Sequence, residues 1–98
     1  MDMIKAILNS IIKGWVTEYR FYNKRRWRFD YANKKQMLAV EIEGGVWLRG
    51  RHNRAKGFIS DLEKYNKAQL LGWKVLRYTP QQIKEMVSDI ELYLKEMK

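Results

Sequence analysis

The chain has 98 residues, of which 46% are hydrophobic and 13% aromatic, and its formal net charge is +9. This composition argues for one folded domain over residues 1–98 and against a disordered basic tail. Because there is no cysteine, a disulfide framework and a thiolate zinc site are excluded, and no apolar run is long enough for a membrane span. The positive charge favours a polyanionic partner, with nucleic acid as the first choice and an anionic membrane surface as the second.

The first half of the chain predicts one helix followed by three strands. Apolar residues recur at helical spacing over residues 3–13, with Asp2 as a capping residue and Gly14 near the end. Residues 15–22 favour extended structure. Residues 27–32 and 37–43 alternate as two further strands, joined by a tight hairpin around residues 33–36.

The second half predicts a loop, a helix, a strand and a last helix. Residues 44–56 are rich in Gly and Arg and are interpreted as a loop. A helix follows from about residue 55 to residue 71, with an apolar face of Phe58, Leu62, Tyr65 and Ala68. Residues 73–78 read as a strand, and residues 79–82 have the pattern of a capping box before the last helix. The order α-β-β-β-α-β-α predicts an α/β domain whose mixed sheet is flanked by helices.

Three acids stand among eleven Lys and Arg residues between Arg20 and Lys56: Asp30, Glu41 and Glu43. Glu41 and Glu43 share a face, since side chains alternate along a strand. If the apolar faces of the hairpin are paired, Asp30 faces Ala39 and lies diagonal to Glu41, about 7–8 Å away at Cα. Such acids can bind Mg²⁺ beside a phosphodiester, and they can equally be solvent-facing partners of nearby arginines.

A family resemblance favours the metal site. Asp30, a spacer of ten residues and then Glu41-Ile42-Glu43 resemble the motif of the PD-(D/E)XK nuclease superfamily. The very-short-patch-repair-like endonuclease branch is similar over residues 15–80, through residues 28–30, 38–47, 51–52 and 71–77. Small nuclease-like proteins of bacteriophages are similar too. The resemblance implies a restriction-endonuclease-like α-β-β-β-α-β core plus a C-terminal helix.

The resemblance also implies roles for individual residues. Asp30 and Glu41 would bind Mg²⁺ or Mn²⁺, with help from the backbone carbonyl of Ile42. Glu43 stands where the family usually has a lysine, so it is a base or a further ligand. Glu18 would be an added ligand, as an N-terminal acid is in similar resolvases. The missing cysteines exclude the zinc site of the mismatch-repair enzymes and argue against repair of that mismatch.

Further candidates have two interpretations each. Histidine ordinarily titrates near neutral pH, so His52 is a candidate for proton transfer; alternatively it contacts phosphate or has no part in the site. Lys64 lies off the apolar helix face and either replaces the missing lysine or is an ordinary solvated residue. Trp27, Trp47 and Trp73 are interpreted first as core or loop anchors, and Trp47 is the one of the three most suited to touch DNA. Two basic groups would contact the DNA backbone: Lys24, Arg25, Arg26 and Arg28, and Arg49, Arg51, Arg54 and Lys56.

The sequence thus predicts a Mg²⁺-dependent endodeoxyribonuclease that hydrolyses phosphodiester bonds. Two alternatives stay open: a junction resolvase or nickase acting as a homodimer, and a catalytically silent nucleic-acid-binding module. RNA also stays open as a substrate. A membrane partner is disfavoured because the last helix mixes lysines with acids. The first residues lack a signal-peptide pattern, which favours an intracellular protein. The resemblance to nuclease-like proteins of bacteriophages implies the cytoplasm of a bacterium or a phage-infected host cell.

Overall fold

The computed structural model describes residues 2–44 and 51–97; the side chains of residues 51–56 and of residue 97 lie outside this description. Seven main elements follow one another: α1 (Met3–Ile11), β1 (Trp15–Tyr19), β2 (Phe29–Asn33), β3 (Leu38–Ile42), α2 (Arg51–Leu70), β4 (Lys74–Tyr78) and α3 (Ile83–Leu92). A 3-10 turn precedes α3 and a π-helical turn follows it. The predicted element order is confirmed.

The four strands form one mixed sheet in the order β1-β2-β3-β4. The pairs β1–β2 and β2–β3 are antiparallel, whereas β3 and β4 are parallel. A parallel pair needs a long crossover connection, and the chain between β3 and β4 contains α2. This crossover brings α2 over the sheet.

The two faces of the sheet carry different cores. On one face, Leu38 and Val40 of β3 pack in a cluster with Leu8 of α1 and with Met86 and Ile90 of α3. On the other face, the smaller cluster contains Phe29, Ala32, Ala39, Trp73 and, from α2, Ala68. Because neighbouring residues of a strand point to opposite faces, Glu41 shares the α2 face with Ala39. The site therefore lies on the face that the small alanines line.

Hydrogen bonds confirm the predicted helix starts. Asp2 Oδ1 accepts from the backbone N–H of Lys5 at 3.0 Å, as an N-cap does. The same carboxylate accepts from the Tyr31 hydroxyl, which joins the start of α1 to β2. Before α3, Gln82 Oε1 accepts from the Thr79 N–H at 3.0 Å.

The hairpin register differs from the prediction by two residues. Tyr31 pairs with Val40 and Ala32 with Ala39, so that Asp30 comes level with Glu41 rather than with Ala39. The buried Asn33 is the physical reason, because its Oδ1 accepts from the Gln36 N–H and stabilises a four-residue loop instead of a tight turn. A shift of two residues keeps every side chain on its predicted face.

The predicted bounds of α2 and its apolar face are wrong in part. The helix begins at Arg51, so residues 51–54 are helical rather than part of a loop. Phe58 and Leu62 are 61% and 47% exposed, while Ala68 is buried. The helix faces the sheet with Lys64 and Tyr65, because the sheet presents the carboxylate of Glu41 there. No helix among the described residues has the length and apolar character that crossing a membrane requires.

Candidate active site

A row of charged residues crosses the four strands. Thr17 pairs with Tyr31 and Tyr19 with Phe29, which brings Glu18 of β1 level with Asp30 of β2. Asp30 is level with Glu41 of β3, and Glu41 pairs with Arg77 of β4. Neighbouring strands lie about 4.8 Å apart. Three acids and one cation thus stand in line across the sheet.

Asp30 and Glu41 are joined through each other's backbone. The Asp30 N–H donates to Glu41 Oε2 at 2.9 Å, and the Ile42 N–H donates to Asp30 Oδ2 at 2.8 Å. These two bonds continue the β2–β3 ladder beyond its last backbone pair, Tyr31 with Val40. The two carboxylates are therefore held side by side at the end of the hairpin.

Glu41 also receives two donors from α2. Lys64 Nζ forms an ion pair with Glu41 Oε1, and the Tyr65 hydroxyl donates to the same oxygen at 2.8 Å. The side chains of Lys64 and Glu41 are only 14% and 6% exposed. A buried carboxylate must be paired, since desolvation of an isolated charge is costly. Lys64 is therefore a partner of the carboxylate pair and not a solvated helix lysine.

Glu43 binds on the β4 side of the site. Arg77 Nε and Nη2 both donate to Glu43 Oε2, at 2.7 and 2.6 Å. The guanidinium carbon of Arg77 also lies 4.1 Å from the centroid of the Tyr65 ring. Tyr65 thus contacts both Glu41, through its hydroxyl, and Arg77, through its ring. Glu43 is neutralised by a cation of its own.

Burial and repulsion shift the titration of the site. Burial raises the pKa of Asp30, and the negative charges of Glu41 and Glu18 raise it further. The Ile42 N–H and Lys64 act in the opposite direction on this pKa. Burial, together with Glu41, also raises the pKa of Tyr65, so its hydroxyl stays a donor. A carboxylate crowded in this way gains from any cation bound beside it.

The oxygen atoms that remain open fit a hard divalent cation. Among the described residues no donor contacts Asp30 Oδ1, and Glu41 Oε2 accepts only the one backbone bond. Glu41 Oε1 already accepts from Lys64 and Tyr65. Within residues 2–44 and 57–96, whose side chains the structure describes, no group of three or more His, Cys, Asp or Glu side chains is arranged for a metal ion. Two carboxylates with water completing the shell is a common set for Mg²⁺.

The other predicted ligands lie at the margin of this pair. Glu18 is exposed and has a positive φ of 51°, and its charge acts on Asp30. Ile42, whose backbone carbonyl is the other predicted ligand, lies next to the pair and donates its backbone N–H to Asp30 Oδ2.

The predicted DNA contacts fall into two groups. Lys24, Arg25, Arg26 and Arg28 are exposed in the segment between β1 and β2. Arg51, His52, Arg54 and Lys56 are in α2, but their side chains, like the whole of Trp47 and Arg49, lie outside the described residues.

Two site residues were not singled out from the sequence. Tyr65 was assigned to the apolar face of α2, although its neighbour Lys64 was already a candidate. Arg77 was assigned only to a strand, because nothing local indicates that β4 pairs in parallel with β3. No local pattern indicates a polar role for Tyr65, since its spacing from Leu62 and Ala68 fits the apolar face of a helix.

Comparisons with known proteins gave no relative. No protein-family model matches the chain, and neither does any curated protein or any solved structure.

Proposed function

We propose that the protein is a Mg²⁺-dependent DNA endonuclease with a PD-(D/E)XK-type core. The observation that carries this proposal is the convergence of Asp30, Glu41 and Lys64, from β2, β3 and α2, at one place. Two carboxylates and one lysine are what the family motif supplies, and here the lysine comes from a helix. Lys64 would take the part that Glu43, bound to Arg77, does not fill.

Each residue has a distinct part in this proposal. Asp30 and Glu41 would hold the metal, whose chemistry is to activate water and to neutralise charge on the scissile phosphate. Lys64 would place a positive charge beside the attacked phosphate. Tyr65 positions Glu41 through its hydroxyl and does not itself touch the substrate.

The charge distribution supports a nucleic-acid substrate. The chain carries 20 Lys and Arg residues against 11 acids. Lys24, Arg25, Arg26 and Arg28 form an exposed basic segment that leads directly into β2, where Asp30 lies. Contacts of such residues to phosphates give affinity and position without sequence preference.

A cleavage assay tests the proposal. The wild-type protein is incubated with Mg²⁺ or Mn²⁺ and with linear, nicked, mismatched and branched DNA. We expect cutting by the wild type and a loss of at least about 100-fold for Asp30→Asn and Glu41→Gln, since even outer-shell changes at metal sites cost 10–100-fold. Glu85→Gln is the matched control, because Glu85 is an exposed acid on α3.

If the wild type cuts none of these DNA substrates in the presence of metal, the endonuclease proposal is wrong. Salt-sensitive binding that is indifferent to EDTA would then favour a catalytically silent binding module.

The dimeric resolvase or nickase has one observation in its favour. Phe58, Ile59 and Leu62 of α2 are 61%, 57% and 47% exposed. Apolar side chains at this spacing form a stripe that a second copy of the chain could cover. Light scattering should then give a dimer, and Ile59→Glu should convert it to a monomer. A wild-type monomer that cuts branched DNA would exclude this alternative.

A further inference from the structure

A groove of about 440 Å³ lies between α2 and the segment that joins β1 to β2. One wall belongs to the segment between β1 and β2, with Tyr22, Lys24, Arg25 and Trp27. The other belongs to the C-terminal half of α2, with Asn66 and Lys67. Its volume is in the range of small-ligand sites, about 300–1,000 Å³.

Nearly parallel aromatic rings lead from the site to this groove. Phe29, which adjoins Asp30 in the chain, stacks on Phe21 with centroids 4.1 Å apart and an interplanar angle of 6°. Phe21 in turn lies 6.3 Å from Trp27 at 15°. Tyr22 lies 6.2 Å from the same Trp27 at 19°. Trp27 and Tyr22 therefore form an aromatic wall of the groove, and Phe21 connects this wall to Phe29.

Cations are set against this aromatic wall. The guanidinium carbon of Arg25 is 3.9 Å from the Trp27 ring centroid, and Lys67 Nζ is 5.1 Å from the Tyr22 centroid. The acid in the lining, Glu63, lies 3.5 Å from Arg25. The lining thus has more positive than negative charge. Lys67 follows Lys64 by one helical turn, so the cations of groove and site are on one side of α2.

Flat rings, a guanidinium plane and ammonium groups are the chemistry that receives an unpaired nucleotide. The base stacks on aromatic or guanidinium planes while the phosphate meets the cations. Bases within a duplex cannot enter such a groove, because both of their faces are already stacked.

We propose that this groove binds an unpaired DNA nucleotide, so that the protein selects DNA with a single-stranded segment. The consequence for cleavage rests on the proposed endonuclease function, whereas the binding of the nucleotide does not.

Binding without metal tests the groove separately from cleavage. Fluorescence anisotropy in EDTA compares a labelled oligodeoxythymidylate with an abasic strand of the same length and charge. The wild type should bind the thymidylate more tightly. Trp27→Ala should weaken thymidylate binding by roughly 5- to 150-fold, the range for one lost base–aromatic stack, and should leave abasic binding unchanged. Trp27→Phe is the second variant, for the case in which Trp27→Ala does not fold. It keeps an aromatic face and should retain most of the preference for the thymidylate.

A second pair of variants is matched for charge and exposure. Leu70, at the groove, is 80% exposed, and Met3 of α1, on the opposite face of the sheet, is 72% exposed. Leu70→Glu should weaken thymidylate binding at least several-fold more than Met3→Glu, although both change the net charge equally.

If the wild type binds the thymidylate and the abasic strand with equal affinity, the proposed nucleotide binding in the groove is wrong, even if the protein cuts DNA. A preference for the thymidylate that Trp27→Ala leaves intact would overturn it too. If the protein never cuts DNA but prefers the thymidylate in a way that depends on Trp27, the endonuclease proposal fails and the proposed nucleotide binding in the groove stands.

Discussion

Lys64 of α2 and Glu41 of β3 form a buried ion pair across 23 residues of sequence. The crossover that joins β3 to the parallel strand β4 carries Lys64 to the carboxylate. The pair therefore depends on the tertiary fold and on no local sequence pattern. Its energetic value lies mainly in what happens when one partner is removed.

Lys64→Met should lower the free energy of unfolding by about 3–5 kcal/mol, because it leaves Glu41 buried with its charge uncompensated. The double variant with Glu41→Gln should recover a large part of this loss. Urea denaturation of the two single variants and the double variant measures the coupling. Lys84→Met, at an exposed position of α3, is the matched control. A Lys64→Met protein as stable as this control would contradict the prediction.

Asp30→Asn should stabilise the metal-free protein at neutral pH. Burial holds the pKa of Asp30 above its ordinary value of 3.8 in the folded chain, so the ionised carboxylate opposes folding at higher pH. The gain from the substitution should shrink as the pH falls through the raised pKa, and it should vanish below the ordinary value, where Asp30 is protonated in both states. Thermal denaturation of the wild type and of Asp30→Asn, at pH values from about 3 to 8, measures this gain in stability. A gain that grows towards acid pH would have the wrong sign.

Glu43→Gln should keep most of the cleavage activity and change stability by less than about 1 kcal/mol, since the pair with Arg77 is partly exposed. The activity should persist because Glu43 is paired with Arg77 of β4, whereas Lys64 is the charged partner of Glu41. Initial cleavage rates at saturating Mg²⁺ give the comparison with Glu41→Gln. If both variants were equally inactive, Glu43 would be a base or a ligand after all.

Mg²⁺ should raise the melting temperature of the wild type progressively, because the stabilisation grows with the logarithm of the Mg²⁺ concentration above the Kd. A ligand at 100 times its Kd stabilises the folded state by about 2.7 kcal/mol. Differential scanning fluorimetry with increasing Mg²⁺ should show this rise in the wild type and not in Asp30→Asn. Glu85→Gln should behave as the wild type does. An equal rise in Asp30→Asn would mean that the ion binds elsewhere.

Much of the fold follows from local patterns in the sequence. Period-2 alternation identified β2 and β3, and their apolar faces put Asp30 and Glu41 on the same side of the sheet. The start of α1 followed from Asp2, whose carboxylate caps the first turn. In each of these cases the deciding interaction lies within a few residues of the signal.

What the sequence did not reveal depends on distant contacts. The hairpin register is decided by the buried Asn33, which reads as an ordinary turn residue. The orientation of α2 is decided by Glu41, a polar residue on a strand. Of the predicted apolar face, Tyr65 and Ala68 therefore face the sheet, while Phe58 and Leu62 are exposed. The partners Tyr65 and Arg77 depend on the parallel pairing of β3 with β4, which no local pattern specifies.

Glu18 separates the demands of folding from those of chemistry. Asp30 and Glu41 complete the backbone pairing of β2 and β3, so both residues also have a part in the fold. Glu18 is exposed and adopts a left-handed conformation that costs a residue other than Gly about 1–3 kcal/mol. Stability alone would favour Gly or Asn there. In a homologue of this chain, an acid at the position of Glu18 would indicate that the proposed reaction is retained. Gly at the same position would indicate that only the fold is retained.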